Sequence, residues 1–411
     1  MGSLSRKFES KNLYKKAFQL KPLGYTQELA GVKRTALTFA LIMALFFSVV
    51  SEIAFVKLVM ARTITVPDDY PTIQAAIGNA TDGDTIFVKK GTYEGPINQT
   101  FIIDKQLSLI GESTESTVLS LHPKYTLTRT STYDYYTYPD DAITINADDV
   151  KLVNFTIFLM GTFRVDGDRV HIANNNITSK SPNTILQTEE LFIDGSYCNI
   201  TRNVGLERIS LENSSDNTFM QNSFDSLYLI STDRNFFDSN RFQHVKLSGA
   251  NDNIFSNNYI SSKEWEYAVY LANSSDNAFN GNRVEVDQWP GNTNLKLLLE
   301  SRNNTFYGNT FIGEAELVVT DASVYGNFWD NGMYGNFWSN YNGTDTFGDG
   351  IGDEPYIIDG NNQDSYPLMT PLSESETFKH PFPTLLVGAI IAIIVAVAAV
   401  SLFAYFMKRR H

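Results

Sequence analysis

Two tryptophans stand beside carboxylates in segments that could hold a ligand. One is Lys263-Glu264-Trp265-Glu266-Tyr267, the other Asp287-Gln288-Trp289-Pro290-Gly291. An indole face next to a carboxylate can hold a sugar ring, by stacking on one side and hydrogen bonding on the other. Trp265, Trp289, Glu264, Glu266 and Asp287 are therefore the candidate ligand-binding residues. The competing expectation is that each indole folds back over its own segment. A second constellation is Asp345, Asp349 and Asp353, at every fourth position around Gly348, Gly350 and Gly352. Hard oxygen ligands on a glycine-flexed loop suit Ca²⁺. No glutamate closes the loop at the EF-hand distance, so a plain Asp/Gly turn is the other reading.

Catalysis has less to work with, and no catalytic set is assigned. Hydrolysis of a polysaccharide needs two carboxylates that converge as acid and base. Asp140 with Asp141, Asp166 with Asp168, and Glu189 with Glu190 are the available pairs. Sequence neighbours on a strand point to opposite faces, so such pairs need not meet. Copper would need imidazole or sulfur ligands. His122, His171, His244, His380 and Cys198 show no paired spacing. Cys198 is the lone cysteine, which excludes an internal disulfide.

The elements that would position these residues are legible as a repeat. Asn217, Asn235, Asn253, Asn277 and Asn304 are each followed after two residues by phenylalanine (Phe219, Phe237, Phe255, Phe279, Phe306). Five residues after each comes a second asparagine (Asn222, Asn240, Asn258, Asn282, Asn309), and seven after, an apolar residue. Asn199 opens the series as a degenerate member, with Thr201 in the phenylalanine position. An apolar residue stands six before each anchor: Ile193, Leu211, Leu229, Leu247, Leu271 and Leu298. The anchors are 18, 18, 18, 24 and 27 residues apart.

Alternation of apolar and polar residues over three to five positions marks short strands with one buried face. Asn and Gly between them tolerate left-handed corners. A unit this short buries its apolar face only by stacking on its neighbours, about 4.8 Å per coil. The expected fold is all-β: a right-handed parallel β-helix, a solenoid with right-handed crossovers. Phe219 to Phe306 should form one aromatic stack and Asn217 to Asn304 an amide ladder. The two Trp segments fill the extra length of the 24- and 27-residue coils at the same phase, so they should project side by side. A short helix in Tyr70–Ile77 should cover the first coil. Strands are expected at Thr85–Val88, Leu107–Ile110 and Ala142–Ile145. Residues 325–370, rich in Gly, Asn, Trp and Tyr, should cover the other end.

The flanks place the solenoid. Thr384–Met407 is uncharged and apolar. At about 1.5 Å per residue it is long enough for a hydrocarbon core of roughly 30 Å. Lys408, Arg409 and Arg410 follow, which puts that end in the cytoplasm. Residues 1–61 read as a basic segment and a signal peptide cleaved after Ala61, or as an uncleaved signal anchor. The expected plan is 62–324 β-helix, 325–370 cap, 371–383 linker, 384–407 transmembrane helix and 408–411 tail. Residues 1–61 carry nine Lys/Arg against three Asp/Glu and the tail adds three cations; the net −14 of the chain thus leaves −23 for the rest. Such an outer domain repels nucleic acid as a whole. Sequons recur at Asn98, Asn154, Asn176, Asn199, Asn213, Asn273, Asn303 and Asn342, so glycosylation of exposed ones is expected.

Pro67-Asp68-Asp69-Tyr70-Pro71-Thr72-Ile73-Gln74-Ala75-Ala76-Ile77, with Asp82-Gly83-Asp84-Thr85-Ile86 and Gly91-Thr92-Tyr93, resembles the entrance of pectin-lyase-like β-helices. The Asn-rich coils resemble the β-helix of NosD, a periplasmic copper-accessory protein. Gly335-Asn336-Phe337-Trp338-Ser339-Asn340-Tyr341 and Asp349-Gly350-Ile351-Gly352-Asp353-Glu354-Pro355-Tyr356 are similar to the close of NosD-type repeats in archaeal surface proteins. The likeness spans roughly 63–370 and implies the fold more than a chemistry. The Asn-Thr-Asp, Asp-Asp and Gly-His-Gly set of polygalacturonases is missing. So are the Arg-x-Pro-x-x-Arg of pectate lyases and the Asp-Pro-His-Glu of alginate epimerases. The expected function is a membrane-anchored surface protein that binds glycans or neighbouring surface proteins. The alternatives are a polysaccharide-active enzyme and an accessory to copper-enzyme maturation.

Overall fold

A computed structural model describes residues 61–372, apart from 125, 130–133, 138–140, 180–189, 263–266, 287–292, 299, 314–316 and 322–323. They belong to one compact unit, Ala61–His411. The expected leader, linker, membrane span and tail lie outside the described residues. Among those residues no helix is long and apolar enough to cross a membrane.

The chain winds as a parallel β-helix. One coil runs through Phe236–Asp238, Arg241–Phe242 and His244–Ser248; the next through Ile254–Ser256, Tyr259–Ser262 and Tyr267–Ala272. They pair in register, Phe237 on Phe255, Phe242 on Ile260 and Leu247 on Leu271. Eleven strands from Thr63–Val66 to Thr305–Tyr307 make the first side. A second sheet wraps the other two sides, because Val204–Glu212 and Ser223–Ile230 pass through the corner unbroken. The strands expected at Thr85–Val88, Leu107–Ile110 and Ala142–Ile145 are present as Thr85–Val88, Ser108–Gly111 and Ile143–Ile145.

The interior is stacked by residue type. Phe219, Phe237, Phe255, Phe279, Phe306 and Trp329 lie ring over ring at 4.9, 4.7, 4.6, 5.1 and 4.6 Å. Both asparagine series form ladders. Asn235 Nδ2 donates to Asn253 Oδ1 at 2.9 Å, Asn253 to Asn277 at 3.0 Å and Asn277 to Asn304 at 3.0 Å. The second ladder runs from Asn175 through Asn203, Asn222, Asn240, Asn258, Asn282 and Asn309 to Asn336. A buried amide is tolerable only when all its groups are satisfied. Here Asn258 Oδ1 accepts from both Asn240 N and Nδ2, and Asn258 Nδ2 also donates to Phe237 O at 2.9 Å.

Two positions differ from the sequence reading. Asn199 is no rung: it pairs with Thr218 and is exposed. Cys198 takes the rung place, its N donating to Asn217 Oδ1 at 2.8 Å, and Ile200 pairs with Phe219. Alternation alone does not tell which of two adjacent residues points inward. Leu298 likewise pairs with Ala272, whereas the inward partner of Leu271 is Leu297. The last coil has one more residue between strand and anchor than the others.

The corners are left-handed, as expected, but Asn and Gly do not hold them alone. Arg169, Tyr197, Arg202, Gln221 and Arg234 also have φ between 54° and 60°. Cross-coil bonds offset that strain. Arg234 N donates to Asn251 O at 3.2 Å, and its guanidinium grips Asp216 of the preceding coil at 2.8 Å. Arg169 does the same with Asp149.

Both ends are closed. Helix Ile73–Asn79 is capped by Thr72, whose side chain accepts from Ala75 N at 3.1 Å; Ile73, Ala76 and Ile77 are buried. Lys105 Nζ donates to the carbonyls of Ile77, Gly78 and Ala80 at the helix end. The Asp-Gly-Asp motif is structural. Burial alone would raise the Asp84 pKa, but bonds from Arg62 and Thr81 outweigh it and hold the carboxyl well below the usual range. At the far end Trp338 stacks between Phe311 and Tyr356 at 4.6 and 4.4 Å. The second ladder stops on Asp364, a buried carboxylate accepting from Asn336 N at 2.7 Å and Trp338 Nε1 at 2.8 Å.

Candidate ligand-binding face

On the third side each strand carries two inward apolar residues with one outward residue between them. Coil by coil the triplets are Phe163-Arg164-Val165, Leu191-Phe192-Ile193, Ile209-Ser210-Leu211, Leu227-Tyr228-Leu229, Val245-Lys246-Leu247, Val269-Tyr270-Leu271 and Leu295-Lys296-Leu297. The parallel register aligns the middle residues: Arg164 on Phe192, Phe192 on Ser210, Ser210 on Tyr228, Tyr228 on Lys246, Lys246 on Tyr270 and Tyr270 on Lys296. Where Ser210 interrupts the row, Arg208 of the same strand supplies the cation.

The result is a stripe in which cations and rings alternate across seven coils. The guanidinium of Arg164 lies 4.4 Å from the Phe192 ring and that of Arg208 lies 5.0 Å from Tyr228. Lys246 Nζ is 5.5 Å from Tyr270, and Lys296 Nζ is 5.9 Å from Tyr267. Such contacts contribute about 0.5–1 kcal/mol each at exposed sites. All these side chains are half-buried, so one edge of every ring faces solvent. His244 and Tyr267 widen the aromatic patch, at 5.0 Å from each other, with Tyr228 5.8 Å from His244 and Tyr270 4.8 Å from Tyr267. Burial holds the His244 pKa down to about 4, so its ring is neutral at pH 7; its Nδ1 is 3.2 Å from Tyr267 O.

The charges are unevenly compensated along the stripe. Arg164 is held by Asp141 at 2.8 Å and Asp194 at 3.4 Å. Burial raises the pKa of Asp194, and Arg164 opposes that rise. Arg208 and Lys246 form no ion pair among the described residues, and Arg208 Nε is a buried donor without an acceptor there. Beyond Tyr228 the residues two before and two after each stripe residue carry no acid: His244 and Ser248, Ala268 and Ala272, Asn294 and Leu298, of which His244, Ala268, Ala272 and Asn294 are buried.

The sequence reading did not find this stripe. Its signal was present as the central residue of each apolar-x-apolar triplet, but only register turns a set of scattered Arg, Lys and Tyr into one row.

The other candidates fall as follows. Trp265, Trp289, Glu264, Glu266 and Asp287 lie outside the described residues. The strands at the roots of their segments are paired, Ser262 on Val286 before them and Tyr267 on Thr293 after them. Both segments thus leave and rejoin neighbouring coils at one corner, beside the Tyr267–Tyr270 patch. Asp345, Asp349 and Asp353 are not gathered into one ligand set. Asp345 accepts from Gly348 N at 2.6 Å and Gly350 N at 2.9 Å, Asp349 from Ile351 N at 3.0 Å, and Asp353 from Thr346 N at 2.8 Å. Bonds from Thr346 and Thr344 hold the Asp353 pKa below its usual value. Among the described residues no three His, Cys, Asp or Glu side chains form a group able to hold a metal ion. These bonds tie the carboxylates to their own loop.

Cys198 is a buried rung whose thiol burial pushes up to about 11, and burial lowers the pKa of His171. His122 pairs with Glu94, and its Nε2 lies 3.3 Å from Ser120 Oγ, beside a cleft of about 400 Å³ lined also by Ile97 and Met160. Glu190 accepts from Ser210 Oγ, and Asp168 accepts from Ser196 N at 2.8 Å. Asp140, Glu189 and His380 lie outside the described residues.

Comparison with known proteins gives a family match over part of the chain. Residues 161–343 match the family described as periplasmic copper-binding protein (NosD). No curated protein matches the chain. Among solved structures it is similar to the Dettilon tailspike protein, at 13% identity and TM-score 0.43, over 68% of this chain and 66% of that one. An alginate lyase from Paenibacillus shows 15% identity and TM-score 0.40, over 67% and 97%. The A-module of a mannuronan C-5 epimerase from Azotobacter vinelandii shows 12% and 0.42, over 64% and 87%. The molecule is a parallel β-helix. Its Asn-laddered coils fall within the stretch that is similar to the NosD family.

Proposed function

We infer that this chain is a surface protein held to a membrane by its C-terminal apolar run, whose third face binds glycans. One observation carries the binding half: the row of half-exposed rings on a rigid face, Phe192, Tyr228, Tyr267 and Tyr270, with polar donors between them. Ring edges and polar donors at a fixed spacing suit the C–H and hydroxyl groups of a glycan, and the stacked core lets them bind without the entropy of ordering a loop. The membrane half rests on Thr384–Met407 and the cations after it. A glycan array probed with the full-length protein in detergent tests the reading. Retention of a defined set of glycans, lost in Tyr270→Ala, is expected. Retention of none would sink it.

The NosD match supports a second reading, an accessory in copper-enzyme maturation. It would act through a partner, because the described residues gather no metal-binding group. Capture of a copper-enzyme partner by the full-length protein, with no glycan retained, would favour this second reading.

A further inference from the structure

We propose that the cleft along the corner of Gly281 and Gly308 is the docking site of residues 373–377, which fasten the start of the linker to the flank of the solenoid. The proposal stands apart from the glycan-binding reading and concerns a different corner of the coil.

The chain leaves the cap along this cleft. Leu368 pairs with Phe337, and Phe337 in turn lies on Thr310. By Leu372 the chain has turned back toward the N-terminal coils, and the Leu372 side chain rests on Gly308. Ahead of Pro371 and Leu372 lies a cleft of about 480 Å³, which runs past Gly281 and Asn257 to Ser239. The described residues end at Leu372, in the mouth of that cleft.

The corner is cleared for a passing chain. Gln221, Ser239 and Asn257 hold left-handed φ of 57°, 56° and 55° along it, so the backbone does not demand glycine there. Gly281 and Gly308 nevertheless take the two places nearest Leu372, both at φ 65°. A Cβ on Gly308 would come within 3.3 Å of Leu372 Cδ1 and within 3.3 Å of the Tyr334 ring.

Charge and spacing fit the next five residues, Ser373-Glu374-Ser375-Glu376-Thr377. Arg283 and Arg241 stand exposed on the rim, one coil and three coils beyond Gly308. At about 4.8 Å per coil they lie about 5 and 14 Å along the cleft. An extended chain advances about 3.3 Å per residue, which carries Glu374 about 7 Å and Glu376 about 13 Å past Leu372, with both side chains on one face. The acids already on the rim are engaged. Glu285 holds Arg283 and accepts from Tyr259 Oη at 2.6 Å, and Asp238 accepts from Asn257 Nδ2 and Ser239 Oγ, each at 2.9 Å. Arg241 has the face of Tyr259 at 4.5 Å and forms no ion pair among the described residues. Glu376 supplies the carboxylate that Arg241 lacks. Docked in this way, the linker has only 378–383 left before the apolar run at Thr384.

Limited proteolysis of the full-length protein in detergent tests this, with an endopeptidase that cuts after glutamate. Arg241→Gln should speed cleavage after Glu374 and Glu376 by about fivefold, the scale of one exposed ion pair, because cleavage follows the population of the open form. Gly281→Asn tolerates the left-handed corner, as Asn257 does, but fills the cleft; it should speed the same cuts at least as much. Arg241→Lys keeps the charge and should keep the wild-type rate. Arg241→Gln changes only an exposed side chain, so its melting temperature should match the wild type. Equal cleavage rates in the wild type, Arg241→Gln and Gly281→Asn would overturn the docking. Wild-type resistance that disappears on dilution would overturn it as well, and would assign the cleft to the linker of a second copy.

Discussion

Asn258 and Asn199 look alike in the sequence and have opposite roles. Asn258 is fully enclosed and serves Asn240 and Phe237 on one side and Asn282 on the other. Asn258→Ala strands two donors of Asn240 and a carbonyl, and should cost about 3 kcal/mol. Asn199→Ala touches an exposed residue and should stay within about 0.5 kcal/mol. Urea denaturation of both variants checks the pair; equal effects would mean that the ladder register is wrong. Phe255, stacked at 4.7 and 4.6 Å between Phe237 and Phe279, should cost about 3–5 kcal/mol when cut to Ala.

Asp364 gives the pH dependence its own signature. Burial raises its pKa to about 6 against the donors from Asn336, Trp338 and Tyr366. The folded state therefore holds a proton that the unfolded state releases at lower pH. Stability from this group is present below the unfolded value and is lost as pH rises from about 4 to 6. Relative to Asp364→Asn, the wild type should lose about 3 kcal/mol across that window, at 1.36 kcal/mol per pKa unit. Denaturation midpoints of both proteins at pH 4, 5, 6 and 7 would show it; parallel curves would refute it.

At the scale of elements, one corner absorbs the variation in coil length. Val204–Glu212 and Ser223–Ile230 turn it without a break, whereas the coils of Tyr259–Ser262 and Arg283–Val286 insert the Trp265 and Trp289 segments there. Extra residues at this corner leave both ladders and the ring stack undisturbed, since those lie on other sides of the coil. Their roots adjoin Tyr267, and the proposed glycan-binding reading extends to both tryptophans. Trp265→Ala and Trp289→Ala should each weaken glycan binding while shifting the melting temperature little. A large loss of stability would instead make the indoles covers for their coils.

For the whole molecule, the caps and the flanks decide solubility and orientation. Helix Ile73–Asn79 and the Trp338–Tyr356 stack cover the two ends of the solenoid, where open strand edges would recruit other chains. The apolar run and the basic tail predict that protease added to intact cells removes the β-helix and spares a tag placed after His411. Degradation of that tag from outside would reverse the topology.

The sequence alone determined the β-helix, because the Asn-x-Phe-x-x-Asn period is a statement about stacking: identical residues recur only where identical environments do. It determined the aromatic stack and the amide ladder for the same reason. It also located the corner that takes insertions, since insertion phase is visible in residue spacing. It misjudged Asn199 and Leu298, where a one-residue slip turns a side chain from core to solvent and the alternation reads equally well either way. Three-dimensional register alone decided the Arg164-to-Lys296 stripe, because its members are 18 or more residues apart and share no motif. It alone shows Asp345, Asp349 and Asp353 accepting from backbone N–H groups of their own turn, a detail that their spacing does not give.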